Sequence, residues 1–215
     1  ACAPFRRLYL CDKNLEQIKA EQITTHNLLA EVCMAAYHEG DSIKTHYTPY
    51  QKIYKDTGSG FTICTALARS FADIGDILRG KDLYLGNDDE ERKKRKQLEN
   101  NLKTIFKNIY EKLLDDNKTS GKNVDTLQTR YNGDDNYYQL REDWWYANRS
   151  TVWEAITCAA KVEDTYFRQT CGDDNESLSR AIQQCRCPKT SGANTDPPTY
   201  FDYVPQYLRW FEEWA

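Results

Sequence analysis

The densest run of reactive side chains in this 215-residue chain is Arg92-Lys93-Lys94-Arg95-Lys96, five consecutive cations. Clustered ammonium and guanidinium groups offer adjacent charges and donors to anionic oxygens, so such a run can bind sulfated glycans. Asp88, Asp89, Glu90 and Glu91 stand directly before it, and a solvated, locally neutralised helix face is the competing reading. Cations at a helix amino end also oppose the macrodipole by about 0.3–1 kcal/mol, which either starts the helix earlier, at the acids, or gives the cations another purpose. Arg6 and Arg7 form a second basic point between Cys2 and Cys11. The formal net charge of -4 confines any polyanion contact to a local patch and argues against general binding of nucleic acid or membrane.

Catalytic chemistry finds no comparable support. A hydrolase or transferase needs a nucleophile or an acid and base gathered in one place, which usually leaves a motif. His26, His38 and His46 have no H-E-x-x-H or similar pattern around them and read as surface or capping histidines. Asp73 and Asp76 share a helical face as an acid pair would, yet Arg69 and Arg79 lie four and three residues away and favour ion pairing. Gly58-Ser59-Gly60 lacks the lysine and serine or threonine of a phosphate loop and reads as a turn. Trp144, Trp145 and Trp153 suggest an aromatic platform for a sugar, or core: Trp145 and Trp153 sit eight apart on one helical stripe, with Trp144 rotated from them. No enzyme activity and no cofactor is expected.

Eight cysteines, Cys2, Cys11, Cys33, Cys64, Cys158, Cys171, Cys185 and Cys187, span the chain. An even count, with sequons at Asn117, Asn148 and Asn175, fits an oxidising, extracellular compartment. Eight allow ~105 pairings. The cysteine-free interval 65–157 separates an amino-terminal four from a carboxy-terminal four, so pairing is expected mostly within each group, with Cys158 and Cys171 each meeting one member of Cys185-Arg186-Cys187. A metal site at Cys185 and Cys187 is disfavoured, because zinc usually takes C-x₂₋₄-C pairs.

The elements that must carry these groups are helical. Mean hydropathy is -0.83, 29% of residues are charged and 13% aromatic, a mixture of solvated helix faces over an aromatic core. No stretch approaches the ~20 apolar residues of a membrane span. The amino end shows no signal peptide, as expected of an excised piece or mature fragment. Leu28, Leu29, Val32, Cys33, Ala35 and Ala36 mark a helix from Thr25, with no proline before Pro49. Ile63, Leu67, Phe71, Ile74 and Leu78 mark a second over Phe61 to Leu78, with Gly80 as its cap. Leu98, Leu102, Ile105, Ile109 and Leu113 mark a long amphipathic helix between Arg92 and Asn117. A polar loop over 115–135 leads to a helix over 136–160, facing Leu140, Trp144, Val152, Ile156 and Ala159 inward. A cysteine-pinned connector follows, with a short helix over Leu178 to Gln184, and Pro205 opens a last helix through Tyr207, Leu208, Phe211 and Trp214. No alternating pattern calls for a sheet, so the fold class is all-α.

Four segments, taken together, closely resemble one family. They are Ala1-Cys2-Ala3-Pro4-Phe5-Arg6-Arg7-Leu8; residues 66–84, which contain Arg69-Ser70-Phe71-Ala72-Asp73-Ile74-Gly75-Asp76-Ile77; Arg141-Glu142-Asp143-Trp144-Trp145-Tyr146-Ala147-Asn148-Arg149; and residues 197–214, with seven aromatic rings in a proline-bounded stretch. The chain resembles the Duffy-binding-like domains of malaria-parasite erythrocyte membrane adhesins, the alpha class above all. The resemblance implies a disulfide-stabilised helical fold: a loop-rich first subdomain with one long helix, here residues 1–60, then a helical bundle ending in the aromatic helix, residues 61–215, with a third subdomain absent. It makes the Pro-x-Arg-Arg segment a scaffold motif. It also implies an antigenically variable adhesion module on the outer face of the infected erythrocyte. The implied partners are a heparan-sulfate-like glycan, a blood-group sugar or a complement receptor, host antibodies, and a neighbouring cysteine-rich interdomain region. Residues 85–97, 115–138 and 172–197 would be the variable surface. A spacer supporting that neighbour, or an invasion ligand for sialylated glycoproteins, are the alternatives.

Overall fold

The helix set by Ile63, Leu67, Phe71, Ile74 and Leu78 becomes the axis of the molecule. In a computed structural model, which describes residues 2–22, 25–54, 62–121, 124–131, 133–161, 164–166, 168–171, 179–181, 183–187 and 197–214, this helix is buried along its entire length. In chain order the elements are α1 (Phe5–Leu8), α2 (Lys13–Glu16), a 3-10 turn (Ala20–Gln22), α3 (Thr25–Tyr54), the axial α4 (Ile63–Arg79), α5 (Asp89–Thr119), α6 (Asp125–Tyr131) and α7 (Tyr138–Ile156). Strands β1 (Gln169–Cys171) and β2 (Ser179–Arg180), a second 3-10 turn (Phe201–Tyr203) and α8 (Gln206–Trp214) complete them. Among the described residues the fold is all-α apart from that small antiparallel pair and one isolated bridge.

Local chemistry starts and stops α4 where its sequence asks. The Thr62 hydroxyl accepts from the Thr65 amide at 3.2 Å, satisfying one of the helix's free donors. At the other end Gly80 takes a left-handed conformation (φ 71°), letting the Gly80 and Lys81 amides close onto the carbonyls of Ile77 and Asp76. Against α4 packs α7, with Phe71 wedged between Trp145 and Trp153 at ring separations of 5.0 and 5.2 Å. All three tryptophans singled out above are buried: Trp145 Nε1 donates to Asp202 and Trp153 Nε1 to the Cys185 carbonyl. The core reading of those rings holds.

Helices α3 and α7 meet backbone to backbone at Gly40, where a Cβ would stand 2.0 Å from the Ile156 carbonyl oxygen. Helix α3 runs on through Pro49 to Tyr54. His38 is exposed, and exposed His46 donates from Nδ1 to the Ser42 carbonyl at 2.8 Å. The side chain of His26 and the Gly58-Ser59-Gly60 turn lie outside the described residues.

Three expectations are corrected. The polar stretch 115–135 is not all loop: α5 extends to Thr119, and Asp125–Tyr131 form α6, held to α7 by Arg130 and Tyr131 on Asp143. In place of the short helix expected over Leu178 to Gln184, the described residues form strand β2 and an isolated bridge between Gln183 and Arg186, with Cys171, Cys185 and Cys187 held by disulfides on either side. The disulfide scheme also changes. Cys171 bridges Cys187 as expected, but Cys64 bridges Cys185 across the supposed division, and Cys158 is unbridged and exposed. The reason is spatial: Cys64 sits in the first turn of the central helix, which everything carboxy-terminal must wrap, so sequence separation was a poor guide to proximity. Cys2, Cys11 and Cys33 are also unbridged.

Candidate functional site

The charged residues of the sequence fall into two populations. The first surrounds α4. A helix buried on every side cannot leave Asp73 and Asp76 unpaired, since an isolated buried carboxylate is prohibitively costly. The chain brings cations from both of its ends. Asp73 pairs with Arg6 at 2.8 Å and with Arg209 at 2.8 Å, and accepts from Gln206 at 3.1 Å. Asp76 meets Arg79 at 2.7 Å and Arg209 at 2.5 Å. Arg6 also forks onto Glu213 with bonds of 3.0 and 2.8 Å, and donates to Ser70, whose hydroxyl donates to buried Glu39 at 2.6 Å. Arg7 has no exposure: its guanidinium lies on Asp82 and over the Tyr84 ring. On the far side Arg149 forks onto Asp202 with bonds of 2.8 and 2.7 Å.

Burial and pairing contend within this cluster. Burial pushes the Asp76 carboxyl up to about 6, only partly offset by Arg209 and Arg79. Burial works against Asp73 as well, but Arg6, Arg209 and Arg7 hold it below the usual carboxylate range. Burial alone would pull the Arg6 guanidinium down, whereas Asp73 and Glu213 drive it up. Glu39 is raised by burial despite hydrogen bonds from Ser70 and the Cys11 amide. The Cys11 thiol is pushed up to about 11 by burial and by Glu39, so it is a poor nucleophile at neutral pH. Arg6 and Arg7, candidate contacts in the sequence, are therefore spent inside the protein. The ion-paired reading of Asp73 and Asp76 holds, with Arg79 joined by partners from the chain ends.

The second population stands on the first turns of α5. Asp88 caps this helix, its carboxylate accepting from the Glu91 amide at 2.8 Å, and Glu91 accepts from the Asn87 amide at 2.8 Å. The acids thus form the helix start and the cations follow in the next turn. Arg92 pairs with Asp89 at 2.9 Å and Lys94 with Glu90 at 2.8 Å, both in solvent. Arg95 differs: only 12% exposed, it meets Asp12 at 2.6 Å and Glu16 at 3.3 Å and ties α2 to α5. Its place is readable in the sequence, because Arg95 shares the stripe of Leu98 and Leu102. Lys93 and Lys96 are exposed, with no ion-pair partner among the described residues.

Sequence reasoning missed what lies beside this run. A groove of about 480 Å³ separates α5 from the chain after Gly80 and the start of α7. Buried Ile77, Leu98 and Leu102 floor it; exposed Leu85, Tyr138 and Lys96 stand at its rim, beside Arg92. Its two carboxylates are already engaged, Asp82 by Arg7 and Glu99 by a fork from Arg141 at 2.6 and 3.0 Å. A signal existed in Leu85, which closes the short apolar run Leu83-Tyr84-Leu85 between Asp82 and the Gly86-Asn87 turn.

Helix α8 is inverted. Gln206, Arg209 and Trp210 face inward, while Tyr207, Leu208, Phe211 and Trp214 face out, the last two 70% and 60% exposed. Exposed Phe5 and Tyr9 add a further ring pair at 4.6 Å on α1, and the Trp214 ring donates to the Cys2 carbonyl at 3.0 Å. Among the described residues no group of His, Cys, Asp or Glu is arranged to hold a metal, and no helix is long and apolar enough to cross a membrane.

Comparison with known proteins adds family evidence. The Duffy binding domain profile matches residues 1–209. Among solved structures, the NTS-DBL1(alpha-1) domain of Plasmodium falciparum membrane protein 1 (PfEMP1) from the varO strain is 40% identical, with a TM-score of 0.67, over 100% of this chain and 43% of that one. A PfEMP1 double domain from the same strain, NTS-DBL1-alpha with CIDR-gamma, is 39% identical with a TM-score of 0.68, over 100% of this chain and 27% of the other. The PfEMP1 IT4var13 DBLbeta domain, solved bound to ICAM-1, is 30% identical with a TM-score of 0.62, over 100% and 44%. The chain thus spans less than half the length of the solved relatives it matches. No curated protein sequence matches it.

Proposed function

Because the chain belongs to the Duffy binding domain family, we propose that it is part of a host-cell adhesion module, displayed on the infected erythrocyte, whose contact surface is the start of α5. The observation that carries this reading is the sorting of charge. The arginines of the family-like segments, Arg6, Arg7, Arg79, Arg141, Arg149 and Arg209, are buried or nearly so against acids of the same fold, whereas Lys93 and Lys96 point to solvent without ion-pair partners among the described residues. A binding surface needs uncommitted groups, and within the basic run these are the two that the fold leaves over, next to a groove that the other exposed lysines do not border. A PfEMP1 relative that binds ICAM-1 supports receptor recognition as the general task. The finer expectation, rosetting through a heparan-sulfate-like glycan, a blood-group sugar or a complement receptor, belongs to the same surface.

The test is retention of the folded domain on red cells and endothelial cells. Salt-sensitive binding that is lost on reversing Lys93 and Lys96 to Glu supports the assignment; binding indifferent to that change rejects it.

The outward aromatic face of α8 favours a second reading, a support for an adjoining cysteine-rich domain, as a relative joined to CIDR-gamma makes reasonable. A domain inert toward cells that stabilises such a neighbour would favour it.

A further inference from the structure

We propose that the groove beside the basic run takes an acidic segment of a host protein, with one large apolar side chain on the groove floor and carboxylates against Lys96 and Arg92. This rests on the adhesion reading and specifies its ligand.

Two features of the groove require an amphiphilic occupant. The lining is apolar: exposed Tyr138 and Leu85 stand over a bed of buried Ile77, Leu98 and Leu102 around a volume of about 480 Å³, enough for a leucine- or phenylalanine-sized group with its backbone. Leu85 stands at the edge, 70% exposed, where a seated side chain would cover it. The charge balance at the rim is positive. Asp82 and Glu99 are neutralised by Arg7 and Arg141, and Arg95 is held by Asp12, which leaves Lys96 unpaired and Arg92 with only a solvent-exposed partner. A groove that has spent its own anions and kept its cations is complementary to carboxylates.

A sulfated glycan satisfies only half of this. It is charged and hydrated along its length, so it would meet Lys93 and Lys96 but place nothing apolar against Leu85 and Tyr138. A peptide alternating acid with Leu or Phe answers both. Nor is the groove a by-product of a loose loop: its wall turns at Gly86 (φ 98°), where an added Cβ would meet the Arg92 amide at 2.7 Å, so wall and helix are in tight backbone contact.

The experiment measures fluorescence polarisation of a labelled peptide, Asp-Glu-Leu-Asp-Glu flanked by glycines, on the folded domain. A version with Ser for Leu, a version with Lys for the acids, and a size-matched heparin fragment serve as comparators. The expected result is that the Leu peptide binds at least about tenfold more tightly than the Ser peptide, and that Leu85→Ser removes most of that difference. Lys96→Gln should weaken both acidic peptides, the Lys peptide should not bind, and Lys112→Gln, on a distant exposed turn of α5, should change nothing. Equal affinity for Leu and Ser peptides overturns the proposal. So does tight heparin binding unaffected by Leu85→Ser, which makes the surface a glycan site and leaves adhesion intact. A domain that holds host cells through Lys93 and Lys96 yet ignores every peptide refutes the groove assignment alone; one that binds no cells refutes the adhesion reading beneath it.

Discussion

The clamp around α4 and the first turns of α5 are built from the same residue types, Arg with Asp and Glu, and have opposite fates. In the clamp Arg209 reaches Asp73 and Asp76 across 136 and 133 residues, and these pairs are buried and shared between several groups. On α5 the pairs of Arg92 with Asp89 and of Lys94 with Glu90 are three or four residues apart and in solvent, Arg95 alone of the run turning inward. A pair in solvent adds little stability because water and salt screen it, whereas a buried pair becomes costly once one partner is lost. Charge in a sequence therefore marks neither structure nor function by itself; the face on which it is placed decides.

Breaking the clamp should have the largest effect. Asp202→Ala strips both carboxylate bonds from Arg149 and the acceptor from Trp145, leaving a buried guanidinium with the Thr199 carbonyl but no counter-charge, and should cost about 3–5 kcal/mol in urea unfolding. A loss below the sensitivity of that assay would mean that the cluster is not buried in solution. Replacing Cys64 and Cys185 with Ser should cost about 2–5 kcal/mol, because the bridge closes a long loop onto the same helix. Non-reducing peptide mapping should first recover the Cys64–Cys185 and Cys171–Cys187 links; any other pairing contradicts the wrapping described here.

Acidity sharpens the contrast. Asp76 has a folded-state value of about 6 against 3.8 for the free carboxyl, so the folded protein takes up this proton first as pH falls. Its ionised form weakens the fold above about pH 6, and stability returns between there and 3.8. Asp73 has the opposite sign: depressed in the fold, it contributes stability above its free value and loses it in stronger acid. Melting temperature should accordingly rise on mild acidification and then turn over, and Asp76→Asn should flatten the rise. An unchanged profile in that variant would remove Asp76 from the account. The smallest effect belongs to α5. Reversing Lys93 and Lys96 to Glu should leave the melting temperature within error while abolishing cell binding; a drop comparable to that of Asp202→Ala would erase the distinction between the regions.

Much of this was legible because helices are local. The stripes of Leu28 to Ala36, Ile63 to Leu78 and Leu98 to Ile109, the cap at Gly80 and the acids before Arg92 each report on a neighbourhood of a few residues, and α3, α4, α5 and α7 follow them. What failed was non-local. Nothing near Cys64 announces Cys185, and nothing near Ser179 announces a partner at Cys171. The division of the basic run into structural Arg95 and free Lys93 and Lys96 lay between these cases: the stripe through Leu98 points to Arg95, but its acceptors, Asp12 and Glu16, come from α2. The groove beside it was invisible for the same reason, since its walls come from three parts of the chain.

The meeting of α1 with α8 has a corollary for how the fold comes apart. Trp214 donates to the Cys2 carbonyl and Arg6 grips Glu213, so two segments more than 200 residues apart are clasped together. Loosening α8 would free α1 with it, while the Cys64–Cys185 bridge still fastens the start of α4 to the carboxy-terminal strand region. Local opening at this clasp can therefore precede loss of the interior.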